Sequence, residues 1–146
     1  MSDLSDFERI AADDTGLCVA ISTRADGTAQ ASVVNAGTLD HPMSGLRAVG
    51  LVAAGESRKL ANWRRSAHAT LVAKVGWQWC AVEGAVDIIG PDDVHPDFDA
   101  ERLRLLLRKI FAAAGGTHHD WDEYDRVVAT ERRAAVIVTV ERVYSN

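Results

Sequence analysis

The sequence predicts a mainly β fold of the α+β class, a small antiparallel barrel with flanking helices, formed by a single domain over 1–146. Three observations point there. Strand-like runs follow one another with turn signals between them, and the chain reads β-β-β-α-β-β-α-α-β. Too few helical segments separate the strands to supply the crossovers of a doubly wound parallel sheet, so antiparallel pairing is favoured. A chain of 146 residues, 47% apolar and 25% charged, has the size and composition of one globular domain with a sizeable core.

Each element follows from local pattern. Residues 4–12 read as a short helix. "GLCVAIST" (16–23) and "AQASVVN" (29–35) read as strands. Between them Asp26-Gly27 is a hairpin signal, because both residue types tolerate positive φ. "AGTLDHPMSG" (36–45) is rich in breakers and reads as a loop, longer than a tight hairpin needs. "LRAVGLVAA" (46–54) is the third strand, followed by a helix over 57–65. Residues 68–75 and 77–89 predict a hairpin around Gly76. Gly84 inside the second arm predicts a bulge or a close backbone approach, and Pro91 ends it.

The period then changes. Leu103, Leu106, Leu107, Ile110, Phe111 and Ala114 recur at helical spacing, which predicts a helix over 97–114 ended by Gly115-Gly116. Asp120 with Glu123 predicts a capping box opening a second short helix. "RRAAVIVTVERVYS" alternates through Val136, Val138 and Val140, the pattern of a half-buried final strand.

Composition narrows the function classes. The net charge of −5 argues against nucleic acid, which needs a clustered basic surface. No apolar stretch approaches a membrane span, and the polar, acidic start "MSDLSDFERI" is unlike a signal peptide. Cys18 and Cys80 sit in apolar strand-like runs, as reduced core residues do. A cytoplasmic protein is expected.

The strongest chemical signal is "ESRKLANWRR" (56–65). A helix N-terminus carries free N–H groups and partial positive charge, so it favours Asp or Glu. Here Ser57 is the expected N-cap, and Arg58 and Lys59 fill the first turn. Either the turn is simply solvated, or an anion such as phosphate accepts the N–H groups, the hydroxyl and both cations together. Trp77 and Trp79 in "GWQW" share one strand face, as buried packing residues or as a wall for a flat ligand. His119 and Glu123 stand at metal-ligand spacing, but no third ligand joins them, and no metal is expected. His41, His68 and His95 suggest nothing jointly. No G-x-G-x-x-G, Walker loop or G-x-S-x-G is present, and neither cysteine has a neighbouring base.

Taken in order, "GLCVAISTRADGTAQASVV", "SRKLANWRR", "GWQWCAVEGAVDI", "HHDWDEYDRVVATERR" and "ERVYS" resemble the flavin and deazaflavin split barrels of the pyridoxamine-phosphate-oxidase-like superfamily. The nearest branch is the flavin/deazaflavin oxidoreductase B family, which binds coenzyme F420. The resemblance runs from about residue 7 to the end. It implies a six-stranded split barrel that forms a homodimer, with cofactor clefts at the subunit interface. It implies a cofactor phosphate at Ser57, Arg58 and Lys59, with Asn62 and Arg64 matching the same helix motif. The ring would lie on Gln30, Ala31, Ser32 and Val33, with Val52 and Ala53, largely against backbone, and Trp77 would stand at the cleft, with a reach across the dimer left open.

The implied activity is hydride transfer between reduced deazaflavin and a planar conjugated small molecule. An FMN-dependent enzyme of the same fold and a non-catalytic binder of a planar ligand are the alternatives. The chain departs from the family pattern at Ser66-Ala67, where Asp-Pro is usual, and in its longer 36–45 loop, which is expected to reshape the cleft.

Overall fold

The computed structural model describes residues 2–146. Strands β1 (Leu17–Thr23), β2 (Ala29–Asp40), β3 (Arg47–Ala53), β4 (His68–Val75), β5 (Gln78–Ile89), β6 (Ala134–Thr139) and β7 (Arg142–Ser145) alternate with four helices. These are α1 (Leu4–Ala12), α2 (Arg58–Arg65), α3 (Ala100–Ala113) and α4 (Trp121–Thr130). All pairings are antiparallel, in the order β4-β1-β2-β3-β6-β5, and β4 also pairs with β5. That closes a six-stranded barrel, as the sequence predicts.

The seventh strand is the far part of the expected last strand. β6 pairs with Val86–Ile89 of β5, and β7 pairs with Cys80–Glu83 of the same edge, with one residue of slip between the two registers. The extra residue falls in the stretch 139–141, opposite Gly84 and Ala85, so a single path is broken by a bulge. Gly84 itself is where backbones meet: a Cβ there would lie 1.5 Å from the Thr139 carbonyl oxygen.

Two of the expectations need correction. Residues 36–40 are strand rather than loop, because β2 runs on to Asp40 and pairs with β3 from Asp40↔Arg47 to Ala36↔Leu51. Strand β6 is buried on both faces instead of one. Its Ala134, Val136 and Val138 face the barrel interior, while Ala135 and Ile137 face a second core under α3 and α4. Alternation in the sequence records one covered face and is silent about a helical layer laid over the other.

The barrel interior is plugged by Phe7 and Ile10 of α1 and by Leu60 and Trp63 of α2. The end of α3 approaches the barrel at a glycine pair: Gly37 faces Gly50 across β2 and β3, and a Cβ on Gly37 would lie 2.2 Å from the Ala113 backbone. At the Asp26-Gly27 turn only Gly27 takes positive φ, at 87°. Asp26 instead accepts from the Thr28 N–H and hydroxyl.

Replacing Gly84 by Ala forces one of two backbones to move and is expected to destabilise the protein by about 2–4 kcal/mol. Urea unfolding of the variant beside the parent protein measures this, and a loss within error would remove the close-approach account.

Candidate functional site

The barrel is incomplete at one place. In an antiparallel ladder, successive residues direct both backbone groups alternately to one neighbour and the other. Arg24 N–H donates to the Thr28 carbonyl and Ala36 N–H to the Gly16 carbonyl, which sets the phase of β2. Gln30, Ser32 and Val34 therefore bond towards β1, while Ala31 and Val33 direct N–H and C=O to the other side. No strand lies there, because the ladder between β2 and β3 stops at Ala36↔Leu51. The two strands splay, and the Ala31 and Val33 backbone groups face the gap.

That gap is the floor of a trough of about 480 Å³. Val33, Val34 and Asn35 line it from β2, and Val52 and Ala54 from the end of β3. The opposite wall is Ile110, Phe111, Ala114, Gly115 and Gly116 at the end of α3, with Tyr124 of α4 and Arg133. The Phe111 and Tyr124 rings pack at 4.8 Å between centroids, and the Tyr124 hydroxyl turns away to the Leu107 carbonyl. Val33 is 67% exposed, an apolar side chain with no cover.

Next to the trough, α2 begins at Ser57, whose backbone is extended. Its hydroxyl makes no capping bond, and the oxygen is buried without a partner. Ordinary N-cap serines bond the first-turn N–H groups, so this one leaves both hydroxyl and N–H groups unused. A second cavity, of about 790 Å³, surrounds it, lined by Arg24, Asp26, Gln30, Glu56, Arg58, Asn62 and Arg65 among others. Three guanidinium groups and two carboxylates leave a net positive charge. Asp26 is held below the usual carboxylate range by its bonds from Thr28, so it stays ionised at neutral pH.

The predicted residues thus divide. Gln30, Ser57, Arg58 and Asn62 reach the basic cavity, whereas Val33, Val52 and Lys59 reach the trough. Ala31 offers backbone at the gap. Ser32 lies between Gln30 and Val34 on β2, with its hydroxyl buried and unpartnered. Ala53 turns its side chain into the barrel core.

Asn62 is a fastening. Its side-chain amide donates to the Ser22 hydroxyl and to the Gln30 side-chain Oε1, both at 3.0 Å, and accepts from Arg65 at 2.8 Å. Arg64 lines neither cavity; its guanidinium is bound to Asp93 by bonds of 2.9 and 2.5 Å, which raise its pKa. Trp77 is not on a strand with Trp79. It is 93% exposed at the tip of the β4–β5 hairpin, and the eight residues of β4 put it about 25 Å from α2 along that strand. Trp79 packs edge-on against Tyr144.

The 41–46 turn lies at the far end of β3 from the gap and does not border the trough. Buried His41 holds it, accepting the Met43 N–H at Nδ1 and bonding Asp87 at 2.8 Å through Nε2. No group of metal-ligating residues forms among the described residues, and no helix among them is long and apolar enough to cross a membrane.

The sequence reasoning missed Phe111, Tyr124 and Arg133 as lining residues. Phe111 carried only the signal of a core stripe, and nothing local marks Tyr124. Arg24 and Arg65 were equally silent, since a cavity between a hairpin turn and a helix has no linear signature.

No family model matches the chain. Solved structures do resemble it. A conserved hypothetical protein of Mycobacterium tuberculosis superposes with a TM-score of 0.66 at 15% identity, covering 99% of this chain and 84% of that one. A pyridoxamine 5'-phosphate oxidase-related, FMN binding protein of Nostoc punctiforme gives 0.64 at 11% identity, over 97% and 80%. An F420 reductase gives 0.60 at 13% identity, over 89% and 90%. The fold is the split barrel of pyridoxamine 5'-phosphate oxidase-like proteins.

Two outcomes follow. Asn62→Leu leaves the Ser22 hydroxyl, the Gln30 amide and one Arg65 bond without their partner and should cost about 2 kcal/mol in urea unfolding. Burial pushes the Cys18 thiol up to about 12, so iodoacetamide near neutral pH should label it only after unfolding. Rapid labelling of the native protein would contradict that placement.

Proposed function

We propose that this protein is a deazaflavin-dependent oxidoreductase that binds coenzyme F420 and reduces a planar conjugated small molecule. One observation carries the reading: a buried, unpartnered Ser57 hydroxyl at the N-terminus of α2, beside a trough whose floor has unpaired backbone. A phosphate would satisfy the hydroxyl and the first-turn N–H groups at once, with Arg58 as its counter-charge. A flat heterocycle with donors and acceptors on its edge would satisfy Ala31 and Val33, and Phe111 and Tyr124 would cover it with apolar surface. These residues fit such a cofactor.

When bound, the cofactor supplies the two-electron chemistry. The chain supplies position and shelter from water. FMN also carries a phosphate on a similar ring system, and a structural neighbour described as FMN binding makes it the second reading. The trough is open on the side of exposed Val33, so we propose a homodimer in which the second copy covers it. Trp77, too distant to serve its own chain, would then reach the partner's cleft. A cytoplasmic location accords with reduced, buried cysteines.

Fluorescence titration with F420 and with FMN tests the cofactor. Ser57→Ala should weaken the bound cofactor by about tenfold while leaving thermal stability unchanged or raised, since it removes an unsatisfied hydroxyl. Arg58→Ala should weaken it at least as much. Unchanged affinity in both variants would detach the phosphate from this corner, and a native protein that binds neither cofactor would end the proposal.

A further inference from the structure

Lys59 stands apart from the cations beside it. The helical step from Arg58 to Lys59 turns the side chain by about 100°, and the two residues enter different cavities. Arg58 joins Arg24 and Arg65. Lys59 enters the trough, half-buried, with Val33, Val52, Ile110, Phe111 and Tyr124 for company.

No Asp or Glu lines that trough. The other cation on its wall, Arg133, is paired with Glu131 at 2.5 Å. Among the described residues, Lys59 makes no hydrogen bond or ion pair through its side chain. The ammonium is not among the buried unpartnered atoms, so in the open trough water solvates it. A planar ligand that fills the trough displaces that water, and the positive end of α2 beside it adds to the cost of leaving the cation unpaired. A ligand with negative charge on its planar part removes that cost.

We propose that the trough selects a planar molecule carrying negative charge at its ring edge, and that Lys59 holds that charge. The inference rests on the ring site of the proposed function and narrows it. Lys59 belongs to the ring, Arg58 to the phosphate. Whatever ring enters is held in its ionised form, and neutral planar molecules of the same shape are disfavoured.

The test separates charge from shape with two probes that differ little else: 2-naphthoate and 2-naphthamide. Each is titrated by amide and methyl NMR into the native protein, Lys59→Met and Lys59→Arg. The native protein should bind naphthoate about tenfold more tightly than naphthamide, the ratio of one charge-assisted contact, with shifts at Val33, Val52 and Phe111. Lys59→Met should bind both probes equally, and Lys59→Arg should keep most of the preference. Equal affinities in the native protein, a preference that survives Lys59→Met, shifts confined to the cavity of Arg58 and Arg65, or no trough shift with either probe would each overturn it. If naphthoate behaves as expected while neither F420 nor FMN binds, the cofactor reading falls alone. If a cofactor binds but the naphthoate preference is absent, the charge assignment falls alone.

Discussion

The site depends on a break in a hydrogen-bond ladder. Strands β2 and β3 exchange bonds only up to Ala36↔Leu51, and beyond that point β2 stays with β1 while β3 stays with β6. Ala31 and Val33 are exposed, so the N–H and C=O groups of this edge stay open to solvent and free to pair with whatever fills the gap. The gap therefore has the character of a binding surface before any side chain is considered. What keeps it open is the layer above: α3 descends onto the Gly37–Gly50 pair and puts Ile110, Phe111 and Ala114 across from Val33 and Val52. Side chains at Gly37 or Gly50 would lift α3 away and leave the floor without a wall.

Helix α2 divides the labour of the site by its pitch. Leu60 and Trp63 go into the barrel, Asn62 into a buried network, Arg64 out to Asp93, Arg58 and Arg65 to one cavity and Lys59 to the other. Within eight residues, one face holds the fold and two faces border cavities. The Asn62 amide ties the helix to Ser22 and Gln30, so the cations are presented from a fixed base. Preorganisation of that kind lowers the entropy lost when an anion docks.

This allocation also explains what could be read from the chain. The elements were legible because hydrophobic period and turn chemistry are local, and the anomaly of cations opening a helix was legible for the same reason. Which cation serves which cavity was not, since that depends on where β2, β3 and α3 stand around the helix. Trp77 and Trp79 look equivalent two residues apart, yet the turn ends between them, leaving one at a hairpin tip and the other against Tyr144. The stripe through Leu103 and Phe111 spelled a helix correctly but could not say that its last turn would leave the core and wall a trough. The breakers at 36–45 mislead because Gly37 is a strand residue, whose missing side chain admits the Ala113 backbone.

Electrostatics then constrains the chemistry further than shape does. Two positive regions adjoin at the start of α2, and they differ in kind. The basic cavity has three guanidinium groups tempered by Asp26 and Glu56 at its rim, a surface suited to a solvated, multiply charged group. The trough has one ammonium without a counter-charge, beside the apolar side chains of Val33, Val52, Ile110 and Phe111, and a ligand that excludes water there makes that single charge count for more. A ligand that spans both regions needs a hydrophilic anion at one end and a flat, polarisable body at the other. Under the proposed function, separating the two by one helical step would let the fold grip a tail without lending that charge to a ring, so that affinity and the electronic state of the ring would fall to different residues.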